Sequence, residues 1–207
     1  MNIKKRPCLI LDLDETVIHS VSLDERNGLS KEEKKIMDTF KSHNMDDYYT
    51  VLERPGLQEF LDFVFKNFNV SVWTAASKDY ALFIVENIIL GKQKSTNKRQ
   101  LDWIMFSYHC DVSKKEKKGS KVLSLLWDFY DIKGCSPDNT IILDDHPDVY
   151  ASQKNNCIHI SPFDILNKDV ETDDLLYKLK DHLTQTLVKL ENGEGLDIKH
   201  INDQILF

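Results

Sequence analysis

Along the chain, unbroken apolar runs alternate with stretches of helical period. Cys8-Leu9-Ile10-Leu11 has no polar break, as expected of a strand buried on both faces of a parallel sheet. The same design recurs at Thr140-Ile141-Ile142-Leu143-Asp144, at Val70-Ser71-Val72-Trp73-Thr74 and at Cys157-Ile158-His159-Ile160. Tyr48-Tyr49-Thr50-Val51-Leu52 reads as a further strand. Between them the apolar positions fall three and four apart. Leu57, Phe60, Leu61, Val64 and Phe65 share one face of a helix with Pro55 in its first turn. Tyr80, Phe83, Ile84 and Ile88 mark a helix over residues 78–90, and Val122, Leu125, Leu126 and Phe129 one opened by Gly119-Ser120-Lys121. Leu175, Leu176, Leu179, Leu183 and Leu187 mark a packing helix over residues 173–191. Strands alternating with helices predict an α/β fold around a mostly parallel sheet.

Other stretches carry weaker patterns. Residues 21–47 are polar and read as a solvated excursion or a flap, although Ser30-Lys31-Glu32-Glu33 fits a capping box with Ile36, Met37 and Phe40 behind it. Trp103-Ile104-Met105-Phe106-Ser107-Tyr108 reads as a strand, and the run Lys114-Lys115-Glu116-Lys117-Lys118 as a solvated loop whose charge favours acidic or phosphorylated substrates. Residues 192–207 lack periodicity and read as a tail or a partner-binding segment. A length of 207 residues suits one domain, with a small insertion at about 91–119 and a tail from about 192.

Composition narrows the classes. An apolar content of 41% suffices for a core, and a formal charge of −7 argues against direct nucleic-acid binding. The four cysteines form no CxxC pair. Cys8 and Cys157, inside apolar runs, read as core thiols of a reducing compartment. His109-Cys110 has no further ligand at zinc spacing. No run of about 18 apolar residues exists to span a membrane, and the basic first seven residues lead into no signal-peptide core. The expected location is inside the cell, in nucleus or cytoplasm. Oligomeric state is left open.

The chemistry concentrates at strand ends. Asp12, Asp14 and Thr16 follow the first strand at intervals of two. Were the chain extended there, both carboxylates would stand on one side of the strand's C-terminal end, where open α/β sheets bind ligands. Two unit charges about 4 Å apart repel by roughly 4 kcal/mol at an effective dielectric of about 20. A shared proton or a hard cation such as Mg²⁺ relieves this. The competing reading is a strand that runs into a polar loop, with Asp and Thr as helix caps.

Asp12-Leu13-Asp14-Glu15-Thr16, continuing through Val17-Ile18-His19-Ser20, resembles the first motif of the haloacid dehalogenase superfamily. The likeness is greatest to its FCP/SCP-like (NLI-interacting-factor-like) phosphatases, which act on the C-terminal domain of RNA polymerase II. The strand ending at Thr74 resembles the second motif, Lys121 matches the third, and Asp144-Asp145 with Pro147 the fourth, so that the likeness runs from about residue 8 to 190. It implies a Rossmann-like haloacid dehalogenase fold with small insertions and no large cap. It also implies a Mg²⁺-dependent Ser/Thr phosphoprotein phosphatase working through an aspartyl-phosphate. In that scheme Asp12 is the nucleophile, Asp14 the general acid and base, and Thr74 and Lys121 stabilise the phosphoryl group. Mg²⁺ is held by Asp12, the carbonyl of Asp14 and Asp145, with Asp144 and Thr16 in support. Neither residues 21–50 nor 91–119 approach the roughly 50 residues of an independent cap domain, so a flexible phosphopeptide is the expected substrate. One departure stands out. The family carries an Arg shortly before the His-Cys equivalent, and Phe106-Ser107-Tyr108-His109-Cys110 has none. The rival readings are a small-molecule phosphatase of the same superfamily and a catalytically silent phosphopeptide-binding scaffold.

Overall fold

The structure, a computed structural model, describes residues 6–91 and 99–205. Its centre is a five-stranded sheet of β1 (Cys8–Leu11), β5 (Asn69–Trp73), β6 (Ile104–Met105), β7 (Thr140–Asp144) and β8 (Cys157–His159). The order is β6-β5-β1-β7-β8 and every pairing is parallel. The chain leaves β1 for β5 on one side and later reaches β7 on the other. This reversal opens a crevice at the C-terminal end of β1, where Asp12 emerges. The expected mostly parallel Rossmann-like sheet is the one observed.

Both faces of the sheet are covered, which is why its strands read as continuous apolar runs. Leu9 and Leu11 face a core supplied by α3 (Leu57–Asn67), by α4 (Lys78–Ile84) with its π-helical continuation Val85–Ile89, and by α8 (Leu175–Glu191). Ile10 points the other way, to Leu125 and Leu126 of α6 (Ser124–Asp128), Val149 of α7 (Pro147–Ser152) and Cys110 of α5 (Ser107–Lys117). Helix α3 begins at Leu57, so Pro55 precedes it instead of lying in its first turn. Gly56 caps it at φ 77°, and a Cβ there would stand 2.8 Å from the Tyr177 ring. The position therefore requires glycine on two counts.

Five further expectations are corrected. Residues 21–47 are not a solvated excursion. They complete a second, antiparallel sheet, β2 (Ile18–Ser22), β4 (Tyr49–Glu53) and β3 (Ser42–Met45), in the order β2-β4-β3. Helices α1 (Leu23–Gly28) and α2 (Lys31–Met37) connect β2 to β3, each opened by a capping box. Val21, Met37 and Leu52 close a small core with Phe163. Residues 103–108 form a strand of only two residues, and the lysine run, through Lys117, lies on helix α5 and not in a loop. The helix expected from Gly119 begins at Ser124, which leaves Lys121 in the turn before it. The expected tail contains α9 (Lys199–Ile205), with Ile198, Ile201 and Asn202 buried. Residues 92–98 of the expected insertion lie outside the described residues. Among the described residues no helix is long and apolar enough to cross a membrane.

Arg54 ties these parts together. Its buried guanidinium donates through Nη1 to the carbonyls of Thr16 and Ser161, both at 3.0 Å, and through Nη2 to Asp173 Oδ2 at 2.7 Å. The loop after Asp12 is thus clasped to the start of α8. Removing one partner leaves the other charge buried and uncompensated, so Asp173→Ala is expected to lose about 3–5 kcal/mol of stability. Urea unfolding measures this, and an unchanged midpoint would refute the clasp.

Candidate active site

Leaving β1, the chain does not stay extended. Asp12 N–H still donates to Leu143 O of β7 at 3.0 Å, and the backbone then folds over, with Val17 and Ile18 N–H both donating to Leu13 O. Glu15 adopts φ 56°, a left-handed conformation unusual for a residue with a side chain. The Glu15 carboxylate meets His19 Nδ1 at 2.8 Å, and its carbonyl accepts from Phe163 N–H at 2.7 Å. These contacts hold the turn. Asp14 reaches the site from a tight loop and not from a continuing strand.

Strands β1 and β7 run side by side, with Leu11 paired to Leu143, which brings Asp12 next to Asp144. Lys121 fills the space between them, its ammonium 2.7 Å from Asp12 Oδ1 and 2.8 Å from Asp144 Oδ2. All three are buried. Burial works against the charge on Lys121, but the two carboxylates outweigh it and raise its pKa, so it stays an ammonium. Burial likewise pushes the Asp12 carboxyl above its ordinary value, with Lys121 pulling it back. The second oxygen of Asp144 accepts from His146 N–H at 2.9 Å, so both its oxygens are engaged.

Asp145, half-buried, accepts from the Thr16 hydroxyl at 3.3 Å. Asp12, Asp144 and Asp145 each offer an oxygen within 4.8 Å of the others. Three carboxylates face a single buried ammonium, so negative charge is in excess. An all-oxygen set of this kind fits a hard divalent cation such as Mg²⁺.

Asp14, half-buried, belongs to the same loop. Its Oδ1 accepts from the Tyr80 hydroxyl, which also meets the Ser20 hydroxyl. Burial pushes the Asp14 carboxyl up to about 6, against the pull of the Tyr80 hydrogen bond. The helical pattern marks Tyr80 only for packing. Its contact with Asp14 arises from tertiary structure, and a lone tyrosine on a helix gives no advance signal of it. Thr74 is buried at the end of β5, and its Oγ1 accepts from Ala76 N–H at 3.0 Å, which leaves the hydroxyl proton to donate elsewhere. The lysine run is partly neutralised, because Lys117 pairs with Asp128 at 2.6 Å and Lys114 lies 3.6 Å from Asp111. A cavity of about 530 Å³, lined by Pro7 and Asn139, lies at the opposite end of the sheet and takes no part in this constellation.

The sequence profile of the NLI interacting factor-like phosphatase family matches residues 7–193. The chain belongs to this family. Membership puts it among phosphatases, in keeping with an aspartate–lysine site at the end of a parallel sheet. The CTD phosphatase-like protein 355R of Invertebrate iridescent virus 6 is 42% identical over 182 residues, covering 86% of this chain and 98% of that protein. Its namesake in Invertebrate iridescent virus 3 is 40% identical over 185 residues, covering 87% and 96%. Among solved structures, Fcp1, described as an essential RNA polymerase II CTD phosphatase, matches with a TM-score of 0.51 at 21% identity, over 92% of this chain and 50% of that one. At that identity the likeness is one of fold. This family member spans nearly all of its viral relatives but about half of Fcp1.

The Glu15–His19 contact makes the loop sensitive to pH. Burial disfavours the charged imidazole, but Glu15 and then Asp164 outweigh it and raise the His19 pKa. A raised histidine contributes stability that is fully present below the ordinary value of about 6.5 and is lost as pH rises through the folded-state value. The stability difference between wild type and His19→Gln should therefore be larger at about pH 6 than at about pH 9. Denaturant midpoints across that range measure it, and a pH-independent difference would refute the pair.

Proposed function

We propose that this chain is a Mg²⁺-dependent phosphoprotein phosphatase that works through an aspartyl-phosphate on Asp12. The observation that carries the reading is the Asp12–Lys121–Asp144 arrangement, with Asp145 beside it. Asp12 forms a bond to phosphorus while the bond from phosphorus to the serine or threonine oxygen breaks. Asp14 gives its proton to that leaving oxygen and then takes one from the water that cleaves the aspartyl-phosphate, releasing inorganic phosphate. An Asp14 pKa near 6 suits a group that must act in both directions. Tyr80 holds one Asp14 oxygen and leaves the other for the proton. Lys121 and the Thr74 hydroxyl meet charge on the transferring phosphoryl. Asp144, with both oxygens engaged, orients Lys121. Mg²⁺ held by Asp12, Asp145 and the Asp14 carbonyl would screen the repulsion between an anionic nucleophile and an anionic phosphate.

The substrate we favour is a phosphorylated serine or threonine in a protein segment. Residues 21–50, fewer than an independent cap domain needs, fold as two short helices and strands of the small second sheet. Tyr48 is 72% exposed, and the Tyr49 ring packs edge-on against Tyr80 at 5.6 Å. Tyr80 and the Tyr49 ring thus lead from Asp14 towards the surface, which suits an extended peptide. The relatives named as CTD phosphatases make the RNA polymerase II tail the first segment to test, and such a substrate implies a nuclear or cytoplasmic setting.

Asp12→Asn should remove turnover of an aryl phosphate and of phosphoserine peptides while leaving the fold intact, and chelation of Mg²⁺ should do the same to wild type. Near-normal turnover by that variant would end the nucleophile assignment. A kcat/KM for sugar phosphates or nucleotides above that for heptad-repeat phosphopeptides would favour a small-molecule phosphatase instead. Full-affinity phosphopeptide binding by wild type without any turnover would favour a silent scaffold. Tyr80→Phe should lower kcat/KM, which reports formation of the aspartyl-phosphate, about tenfold or more on phosphoserine, whose leaving oxygen needs the acid, and far less on an aryl phosphate. Equal losses on both substrates would deny Tyr80 a role through Asp14.

A further inference from the structure

Strand β8 is an edge of the central sheet, and an edge strand presents backbone groups without a neighbouring strand to pair them. Here a side chain stands in for that strand. Asn202 of α9 accepts from His159 N–H through Oδ1 at 3.0 Å and donates through Nδ2 to Cys157 O at 2.9 Å. The asparagine is 3% exposed, and Ile198 and Ile201 beside it are buried in the main core, so α9 is seated by apolar packing.

His159 passes this constraint on. Its Nε2 lies 2.8 Å from the backbone carbonyl of Asp145. A carbonyl can only accept, so Nε2 carries the proton and donates. The ring is stacked on Tyr150, with centroids 5.2 Å apart and planes at 11°, which removes its rotational freedom. Asp145 follows the last residue of β7 and lies beyond the ladder that holds Asp144. Its side chain is held by Thr16 on one side, and its backbone by His159 on the other.

We infer that His159, fixed by Asn202 of the C-terminal helix, is a positioning residue that aims Asp145 at the metal. The inference rests on the proposed role of Asp145 as a ligand. It extends the catalytic unit past residue 193, where the family match ends. Partners that orient a ligand typically change metal affinity by 10–100-fold when removed, and the same logic applies to a ligand's backbone.

The test is a calorimetric Mg²⁺ titration of the full chain, with thermal unfolding of each variant recorded without metal. His159→Phe keeps the ring and its stack but loses the donor, so its Mg²⁺ Kd should rise about tenfold. His159→Gln carries an amide N–H at the same reach and should bind within about twofold of wild type. Asn202→Ala should weaken binding about three- to fivefold by freeing the histidine. A purely structural role would lower the unfolding midpoint of all three and leave the Kd alone, which would overturn the inference. If His159→Phe binds like wild type while Asp145→Asn binds weakly, the positioning role is wrong and the ligand role stands. If Asp145→Asn itself binds like wild type, both fall. Should His159→Phe not fold, Asn202→Ala carries the same comparison, with weaker binding in support and wild-type binding against.

Discussion

A single ammonium group between two carboxylates governs the rest of this structure. Lys121 is nearly inaccessible to water, and so are Asp12 and Asp144. Burying an ion costs several kcal/mol even after relaxation, and the cost is offset here because each charge has a partner at hydrogen-bond distance. Two carboxylates bearing on one ammonium also explain why Asp144 is fully enclosed while Asp145, its neighbour, stays partly open. The inner acid holds the lysine, and the outer one accepts from the Thr16 hydroxyl.

Much of the central sheet was readable from the sequence because β1, β5, β7 and β8 are covered on both faces, and such strands must be apolar throughout. The second sheet was hidden for the opposite reason. Its strand β3 reads Ser-His-Asn-Met, with no fully buried residue, and is joined to β4 mainly through backbone bonds that leave no mark on composition. Trp103, Phe106 and Tyr108 are strand formers by type, yet Ser107 starts a helix whose buried side is only Cys110 and Ser113. Tertiary contacts overrode propensity there. Helix α9 is seated by Ile201 and by Ile198 just before it, too few to set up a period.

The site divides along the same line. Asp12 and Asp14 follow an apolar run, so position pointed to them before any resemblance, whereas Thr74, Asp144 and Asp145 stand at similar strand ends and took their expected roles from the resemblance. Lys121 needed the family resemblance, because a lysine in a polar turn is otherwise unremarked. Tyr80, His159 and Asn202 had no comparable signal. Each is an ordinary residue of a helix or short strand. Tyr80 meets Asp14, His159 meets the Asp145 carbonyl and Asn202 meets His159 only once distant parts of the chain come together.

The pairing of β1 with β7 has a consequence for how such a site can change. Parallel neighbours are separated by about 4.8 Å, a distance imposed by backbone hydrogen bonds and not by side chains. The backbone gap beneath the two acids that Lys121 bridges is therefore built into the peptide geometry. A shift of one residue in either strand would turn its acid to the opposite face of the sheet. The ion cluster consequently behaves as an all-or-nothing element. The backbone spacing beneath its two acids is a constant of the sheet.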